Sequence, residues 1–280
     1  MNFFAQLITW INAPVNALGG FLLAPVNVLP GWLSNTIISA FTGMILLIIF
    51  KYTSNQRAIA RVRDNIKADM LALKLFKDSL LVTLQSQGRL FKSALLLLFH
   101  SLRPMLVMIV PVILLLGQLG LWYQHRPLRV GEETIVTVQL SGEISPVWPK
   151  LEMDSVPAME VVIGPVRVFS ERRIYWKIRA CENGLHNITF RVNGQPIEKQ
   201  LAIGNGFMRA SVERPGWNWS DILQHPLEKP FGPDSLVRSV SIDYPQRLSR
   251  TSGTDWWLIY FFIASMVFAM VFKPFLKVRI

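Results

Sequence analysis

Three long stretches of the chain contain no charged residue, and they constrain its fold more than any other feature. They cover residues 33–50, 104–123 and 256–272. An α-helix needs about 20 mainly apolar residues to cross the roughly 30 Å hydrocarbon core of a bilayer, and each stretch approaches or reaches that length. We therefore predict an integral membrane protein with three transmembrane helices, at 32–50, 104–123 and 255–273.

The overall composition agrees with this interpretation. Hydrophobic residues make up 51% of the chain and the mean hydropathy is +0.34, which is more apolar than an ordinary soluble protein. A soluble protein would have to bury three such helices inside one small domain. Trp122 and Tyr123 at one end of the second stretch, and Arg103 at the other, are typical of residues that lie at the two membrane interfaces.

The positive charge is concentrated on two segments. The net charge is +11, and residues 51–93 hold nine Lys or Arg against three Asp, while Lys273, Lys277 and Arg279 follow the third stretch. Residues 124–255 are almost neutral, with sixteen basic and fifteen acidic residues. This distribution does not indicate DNA binding. By the positive-inside rule it predicts that the basic segments are cytoplasmic and that the amino terminus and the long second loop are outside.

The cytoplasmic residues 51–103 are predicted to form an antiparallel helical hairpin. Apolar residues recur there at steps of three and four in two successive arms, and Asp78 and Ser79 are suited to cap the second arm. The hairpin has six basic residues that we predict as a docking surface: Arg57, Arg61, Arg63, Lys67, Lys74 and Lys77. The alternative is that these charges only solvate a helix pair. A short tail, 274–280, is also predicted to be cytoplasmic.

The first 31 residues have a different pattern. An uncharged amphipathic helix is predicted at the amino terminus, lying in the outer membrane interface; its apolar face contains Phe3, Phe4, Leu7, Ile8 and Ile11. Repeated Pro and Gly residues then predict an irregular, re-entrant segment at 13–31. Residues 1–31 are therefore expected to anchor to the membrane without crossing it.

The long outer loop is predicted to be a β domain. Period-two patterns predict strands at 134–140, 159–168, 173–180, 187–192 and 198–203, and turn signals such as Asn193-Gly194 separate them. We predict an extracytoplasmic, immunoglobulin-like β-sandwich at 130–213, followed by a connector at 214–254. Cys181 is the only cysteine, so the domain has no internal disulfide framework.

The sequence gives little sign of catalysis. The four histidines lie far apart with no metal-ligand spacing, and no phosphate loop or nucleophile elbow is present. The pair Glu132 and Glu133 is better explained as a solvated turn than as an acid–base pair. We therefore expect no enzymatic activity, cofactor or metal. The spans also contain no Asp or Glu, so an ion-coupled transporter would need acidic residues from another chain.

The spans do contain milder polar residues that form a candidate groove. Asn35, Ser39 and Thr42 follow one another at i, i+4 and i+7, so they share one face of the first helix. Gln118 lies in the second helix, and Arg103 lies at its boundary. The alternatives are interhelical contacts for the small polar residues and a snorkelling anchor for Arg103.

The order of these elements resembles the YidC-type superfamily of membrane-protein insertases. The similarity covers roughly residues 15–123 and 255–280. It is closest to the smaller branch, which contains the archaeal YidC-like proteins and the third subunit of the endoplasmic-reticulum membrane protein complex. Three motifs look like bacterial members: FKYTSNQ at 50–56, LKLFKD at 73–78 and Arg103-Pro104.

The resemblance implies a membrane-protein biogenesis factor of a bacterial inner membrane. Three helices would enclose a hydrophilic groove open to the cytoplasm, and Arg103, Asn35, Ser39, Thr42 and Gln118 would line it. The hairpin would recruit a ribosome or nascent membrane protein. The family core has no β domain between its last two helices and carries a groove charge that the first helix lacks here. The alternative function is a non-catalytic scaffold whose outer domain binds a partner protein.

Overall fold

The structure is a computed structural model, which describes residues 3–75, 80–142, 148–276 and 278. The helices are α1 Phe3–Leu22, α2 Gly31–Thr53, α3 Gln56–Leu75, α4 Leu80–Tyr123, α5 Trp219–Gln224 and α6 Trp257–Leu276. The strands are β1 Glu133–Leu140, β2 Leu151–Met153, β3 Met159–Val168, β4 Arg173–Ala180, β5 Gly184–Val192, β6 Gln195–Ile203, β7 Glu213–Arg214 and β8 Val237–Ile242.

The chain divides into two compact units. Residues 1–35 and 114–260 form the first, called here the β unit, and residues 36–113 and 261–280 form the second, the helical unit. Three described helices are long and apolar enough to cross a membrane: α2, the Leu84–Tyr123 part of α4, and α6. The prediction of three such helices is confirmed, and the fold is compatible with an integral membrane protein.

In the helical unit, α2 and α6 pack closely because small residues face each other. A Cβ atom placed on Gly43 would clash with the backbone carbonyl oxygen of Ser265 and lie 3.2 Å from the backbone nitrogen of Ala269. Lys51 Nζ also donates a hydrogen bond of 2.9 Å to the carbonyl of Leu276, near the carboxyl ends of both helices. Close approach through small residues is typical of helix packing in membranes.

Helix α4 is continuous where the sequence predicts a boundary. It runs for 44 residues through Pro104 and Pro111, whereas the prediction began a separate transmembrane helix at 104. Proline inside a helix removes one hydrogen bond, but apolar spans tolerate it because neighbouring groups and small backbone adjustments satisfy the freed carbonyl. The second hairpin arm and the second span are therefore one helix.

The hairpin is formed by α3 and the first part of α4. Ala58, Ile59 and Val62 are buried on α3, and Arg89 Nε lies 3.7 Å from Asp69 Oδ1 across the two arms. The predicted cap at Asp78 and Ser79 lies outside the described residues. The apolar stripe predicted on α3 is therefore buried close to the start of the arm.

The β unit contains two antiparallel sheets that share one hydrophobic core. The five-stranded sheet has the order β3-β4-β1-β8-β7, and the three-stranded sheet has the order β2-β5-β6. Side chains of a strand point alternately to its two faces, so every second residue enters the core. In β4 the buried residues are Ile174, Trp176, Ile178 and Ala180, and the residues between them are only partly buried. Trp176 contacts Phe190 of β5 edge-on with ring centroids 5.6 Å apart, so the two sheets face each other. The predicted antiparallel β region is confirmed.

One strand lies in the segment predicted as a connector. Strand β8 falls within 214–254, yet it pairs with β1, with Val138 opposite Val240, and with β7 on its other side. Val237, Val240 and Ile242 are buried in the core. The domain therefore extends past the predicted end at 213, because its central sheet is incomplete without a strand from the connector.

The amino-terminal helix is also longer than predicted. Helix α1 continues through Pro14, Gly19 and Gly20 to Leu22 and is followed by a 3-10 turn, Ala24–Asn27, whereas 13–31 was predicted to be irregular. The glycines are positions of close approach: a Cβ on Gly19 would lie 2.5 Å from Gln118 Oε1. Gly19 and Gly20 therefore allow other side chains to pack closely against α1, and they do not interrupt the helix.

Candidate functional site

The first span, α2, carries a polar stripe on one buried face. Asn35 and Ser39 are fully buried, and Thr42 is 7% exposed. The spacing of four and three residues places the three side chains one above the other along the helix. Apart from Lys51, the remaining residues of the helix from 37 onward are mostly apolar, so this stripe is the main polar feature of the span.

The three stripe residues differ in how their polar atoms are satisfied. Asn35 Nδ2 donates to the carbonyls of Thr251 at 2.6 Å and Trp257 at 3.2 Å, and Thr42 Oγ1 donates to Ile38 at 2.8 Å within its own helix. Asn35 Oδ1 and Ser39 Oγ are buried with no hydrogen-bond partner in the part of the chain that the structure describes. Buried polar atoms normally have hydrogen-bond partners. Both oxygen atoms on this face could therefore still form hydrogen bonds.

The other two predicted groove residues lie on α4. Gln118 is buried in the β unit, where its Nε2 donates to Asn16 Oδ1 of α1 at 2.6 Å. Its contact therefore fixes α1 against α4. Arg103 lies on α4 in the helical unit with an exposed side chain. The structure thus places Asn35, Ser39 and Thr42 together on one helix, and it gives Gln118 a structural contact of its own.

The predicted docking residues on α3 are accessible. Arg57, Arg61, Lys67 and Lys74 are exposed and Arg63 is half-buried; Lys77 lies outside the described residues. None of these five cations is within 4 Å of a carboxylate among residues 3–75, 80–142, 148–276 and 278. Their charge is therefore available to an external anion.

Large apolar side chains are exposed beside these cations. Met70, Leu71 and Leu75 on α3 are 59%, 59% and 69% exposed, and Leu84 on α4 is 67% exposed. Burial of such side chains in a partner would release about 25 cal/mol per Å² of apolar surface. The carboxyl-terminal end of α3 thus combines exposed positive charge with exposed apolar surface.

A second polar cluster lies in the β unit and was not predicted. Lys199 of β6 is fully buried, and its Nζ donates to Glu228 Oε1 at 2.5 Å, to Ser211 Oγ at 3.0 Å and to the Ser211 carbonyl at 2.5 Å. The Ser211 hydroxyl also donates to Glu228. Burial lowers the pKa of Lys199, and the Glu228 carboxylate opposes that effect.

This cluster holds strands to the connector rather than forming an exposed reactive centre. A lysine beside a serine hydroxyl can act as a base, but Glu228 accepts hydrogen bonds from both groups, and Ser211 is only 2% exposed. The alternation of β6 could have revealed Lys199, because it follows Ile197 and precedes Leu201 at inward positions. Glu228 lies in a segment without periodicity, so no sequence signal identified its partner.

The acidic pair at the start of the β domain is engaged in ion pairs. Arg126 holds Glu132 through two bonds of 2.7 and 2.8 Å, and this hydrogen bonding keeps the pKa of Glu132 below its ordinary value. Glu133 lies 2.6 Å from Lys177 Nζ and 2.7 Å from Arg179. Glu132 therefore lies at the end of the turn before β1, where its backbone nitrogen donates to the Arg129 carbonyl at 2.9 Å, and Glu133 pairs with cations of β4.

The described residues contain no group of three or more His, Cys, Asp or Glu side chains placed to hold a metal ion. Comparison of the chain with protein-family models, with curated proteins and with solved structures found no match in any of the three.

Proposed function

We propose that the chain is a YidC-like membrane-protein biogenesis factor, an insertase or chaperone for membrane proteins. The observation that carries this proposal is the buried polar stripe on α2, in which Asn35 Oδ1 and Ser39 Oγ have no partner among the described residues. The resemblance of the motifs at 50–56, 73–78 and 103–104 supports the same function.

The physical basis is the energy of moving polar groups through hydrocarbon. A buried polar group without a hydrogen bond costs about 2–7 kcal/mol, depending on the reference medium. Free acceptors on a span therefore favour water or a polar client segment beside them. A hydrated face on α2 would lower the barrier for a client's polar segment in the same way.

The hairpin supplies the second element of the proposal. Its unpaired cations and exposed apolar residues suit recruitment of a nascent membrane protein or of the ribosome that makes it. On the basis of the positive-inside rule, we propose that the hairpin and the carboxyl-terminal tail are cytoplasmic and that the β domain is outside. The family resemblance supports a bacterial inner membrane. We further propose that the two facing sheets of the β unit form an immunoglobulin-like sandwich.

A second function is favoured by one edge of the β unit. Strand β3 is the outermost strand of its sheet, and Val161, Ile163 and Val166 on it are 41%, 53% and 48% exposed. Edge strands with exposed apolar residues are templates for pairing with another chain. This edge supports the alternative of a membrane scaffold whose outer domain binds a partner protein.

Reconstitution of the purified protein in liposomes tests the leading function. The readout is insertion of a membrane client with a short translocated tail. The double variant Ser39→Ala with Thr42→Val removes both hydroxyls at nearly constant volume, and we expect insertion to fall several-fold. Ser265→Ala is the matched control, because Ser265 is a buried span hydroxyl that already donates to Phe261. Equal insertion by the double variant and the wild type would refute the proposed role of the stripe.

The scaffold alternative has a separate test. Ile163→Lys places a charge on the exposed edge without touching the core, and Lys on an edge strand blocks pairing. Loss of a co-purifying outer protein with unchanged client insertion would favour the scaffold. Retention of all partners by this variant would count against it.

A further inference from the structure

The loop at 204–209 in the β unit lies against the ends of several membrane-associated helices. A Cβ on Gly31, the first residue of α2, would lie 2.6 Å from the Phe207 ring. Phe207 also meets the ring of Tyr123, the last residue of α4, with centroids 5.9 Å apart. Tyr123 in turn lies 6.1 Å from Trp257, the first residue of α6. Aromatic residues at span ends mark the interfacial depth of a bilayer.

Two arginines beside this loop lack an acidic partner. Arg209 is half-buried with its guanidinium over Gly20 of α1, where a Cβ would come within 3.1 Å of Nη1. It donates a hydrogen bond of 3.4 Å to the Asn16 carbonyl. No carboxylate lies within 4 Å of it in the described part of the chain. Burial lowers the pKa of Arg209.

Arg247 also contacts the loop at 204–209. Its guanidinium carbon lies 3.9 Å above the Phe207 ring, and Nη2 donates to the Gly206 carbonyl at 3.3 Å. Its Nε is buried without a partner among the described residues. Burial lowers the pKa of Arg247, and the nearby Arg126 lowers it further. Arg126 is itself paired with Glu132.

We propose that Arg209 and Arg247 bind the phosphate groups of anionic phospholipids. A half-buried guanidinium with free donors and no counter-ion is suited to a phosphate, which it can hold through two parallel hydrogen bonds. The ends of α2, α4 and α6 place the loop at the depth where headgroups lie. Exposed Trp10 and Phe21 on α1, at 74% and 80%, provide apolar surface for the adjoining acyl chains. The site ties the β unit to the membrane surface.

The test uses the full-length protein in lipid nanodiscs. Native mass spectrometry counts retained phosphatidylglycerol and phosphatidylcholine after release. The double variant Arg209→Gln with Arg247→Gln should lower the affinity for phosphatidylglycerol at least about tenfold, since each cation near a charged surface contributes on the order of 1 kcal/mol. Phosphatidylcholine binding should not change. Arg167→Gln with Arg238→Gln is the charge-matched control, because both arginines are exposed in the β unit.

A second double variant controls for misfolding. Arg209→Lys with Arg247→Lys keeps both charges, and we expect it to retain part of the phosphatidylglycerol affinity. Inorganic phosphate at millimolar concentration should not displace the lipid. Equal phosphatidylglycerol binding by wild type, Gln and Lys variants would overturn the proposal. Displacement by free phosphate, with no preference between the two lipids, would overturn it in favour of a soluble anion.

Discussion

The Nζ of Lys199 lies 2.5 Å from Oε1 of Glu228, inside the β unit, with the lysine side chain fully buried and the carboxylate 13% exposed. This ion pair joins strand β6 to the segment after α5, which the sequence pattern had assigned to a connector. Ser211 completes it by donating to Glu228 and accepting from Lys199. The segment is thereby part of the domain.

Removal of one member of this pair should strongly destabilise the β unit. Lys199→Met leaves the Glu228 carboxylate without its main partner, and breaking a buried pair in this way costs about 3–5 kcal/mol. The double variant Lys199→Met with Glu228→Gln should recover most of the loss. Thermal unfolding followed by near-ultraviolet circular dichroism measures both. A single variant as stable as the wild type would mean that the pair does not hold the connector.

Acidification should destabilise the β unit through His225. Burial lowers the pKa of His225 below the ordinary histidine value, while Glu213 and Asp221 oppose the shift; burial lowers the pKa of His125 as well. The unfolded chain therefore binds more protons than the folded chain as the pH falls through the ordinary histidine range. The free energy of unfolding therefore decreases as the pH falls through the ordinary histidine range, and it is highest above that range.

Unfolding midpoints measured between pH 7.5 and 5.5 test this effect. His225→Asn should flatten the dependence on pH, and His186→Asn, at a half-buried position on β5, is the matched control. An unchanged slope in His225→Asn would show that this histidine does not govern the acid sensitivity.

The close contact between α2 and α6 should tolerate no side chain at Gly43. Gly43→Val would force a β-branched group into the backbone of Ser265, and overpacking typically costs about 1–3 kcal/mol. Gly88→Ala is the matched control, because a Cβ at Gly88 meets nothing within 4 Å, and alanine should stabilise the helix by about 1 kcal/mol. Resistance to thermal unfolding in detergent distinguishes them. Equal behaviour of both variants would contradict the packing.

The hairpin cations should bind ribosomes in a salt-dependent manner. Arg57→Gln with Arg61→Gln removes two exposed, unpaired charges, so sedimentation with ribosomes should weaken several-fold at low salt and less at high salt, where charges are screened. Arg89→Gln serves as the control, because Arg89 lies near Asp69 on the other arm. Binding that is unaffected by either salt or the double variant would contradict docking through these residues.

Much of the fold could be predicted from local patterns. The five predicted strands lie within or coincide with observed strands. The Asn193-Gly194 turn adopts the positive φ angles of 49° and 86° that this dipeptide favours. Three apolar helices followed from length and charge alone. These features depend on near neighbours in the sequence.

The elements that were missed depend on distant partners. Strand β8 has only six residues, and its pairing with β1 joins residues about 100 positions apart, such as Val138 and Val240. The helical path through Pro14 and Pro104 likewise depends on packing and on the apolar surroundings rather than on propensity. For the site, spacing placed Asn35, Ser39 and Thr42 on one face. Spacing could not show that Ser39 Oγ has no hydrogen-bond partner among the described residues, or that Gln118 binds Asn16.

Site-specific crosslinking from Thr42 tests the central claim most directly. A photoreactive residue at position 42, in cells that are synthesising membrane proteins, reports what touches the polar face of α2. The account predicts crosslinks to nascent membrane proteins that appear during synthesis and disappear after release, with none from a probe at Phe41, an exposed apolar position on the same helix. Crosslinks from Thr42 only to lipid or to one permanent partner would contradict it.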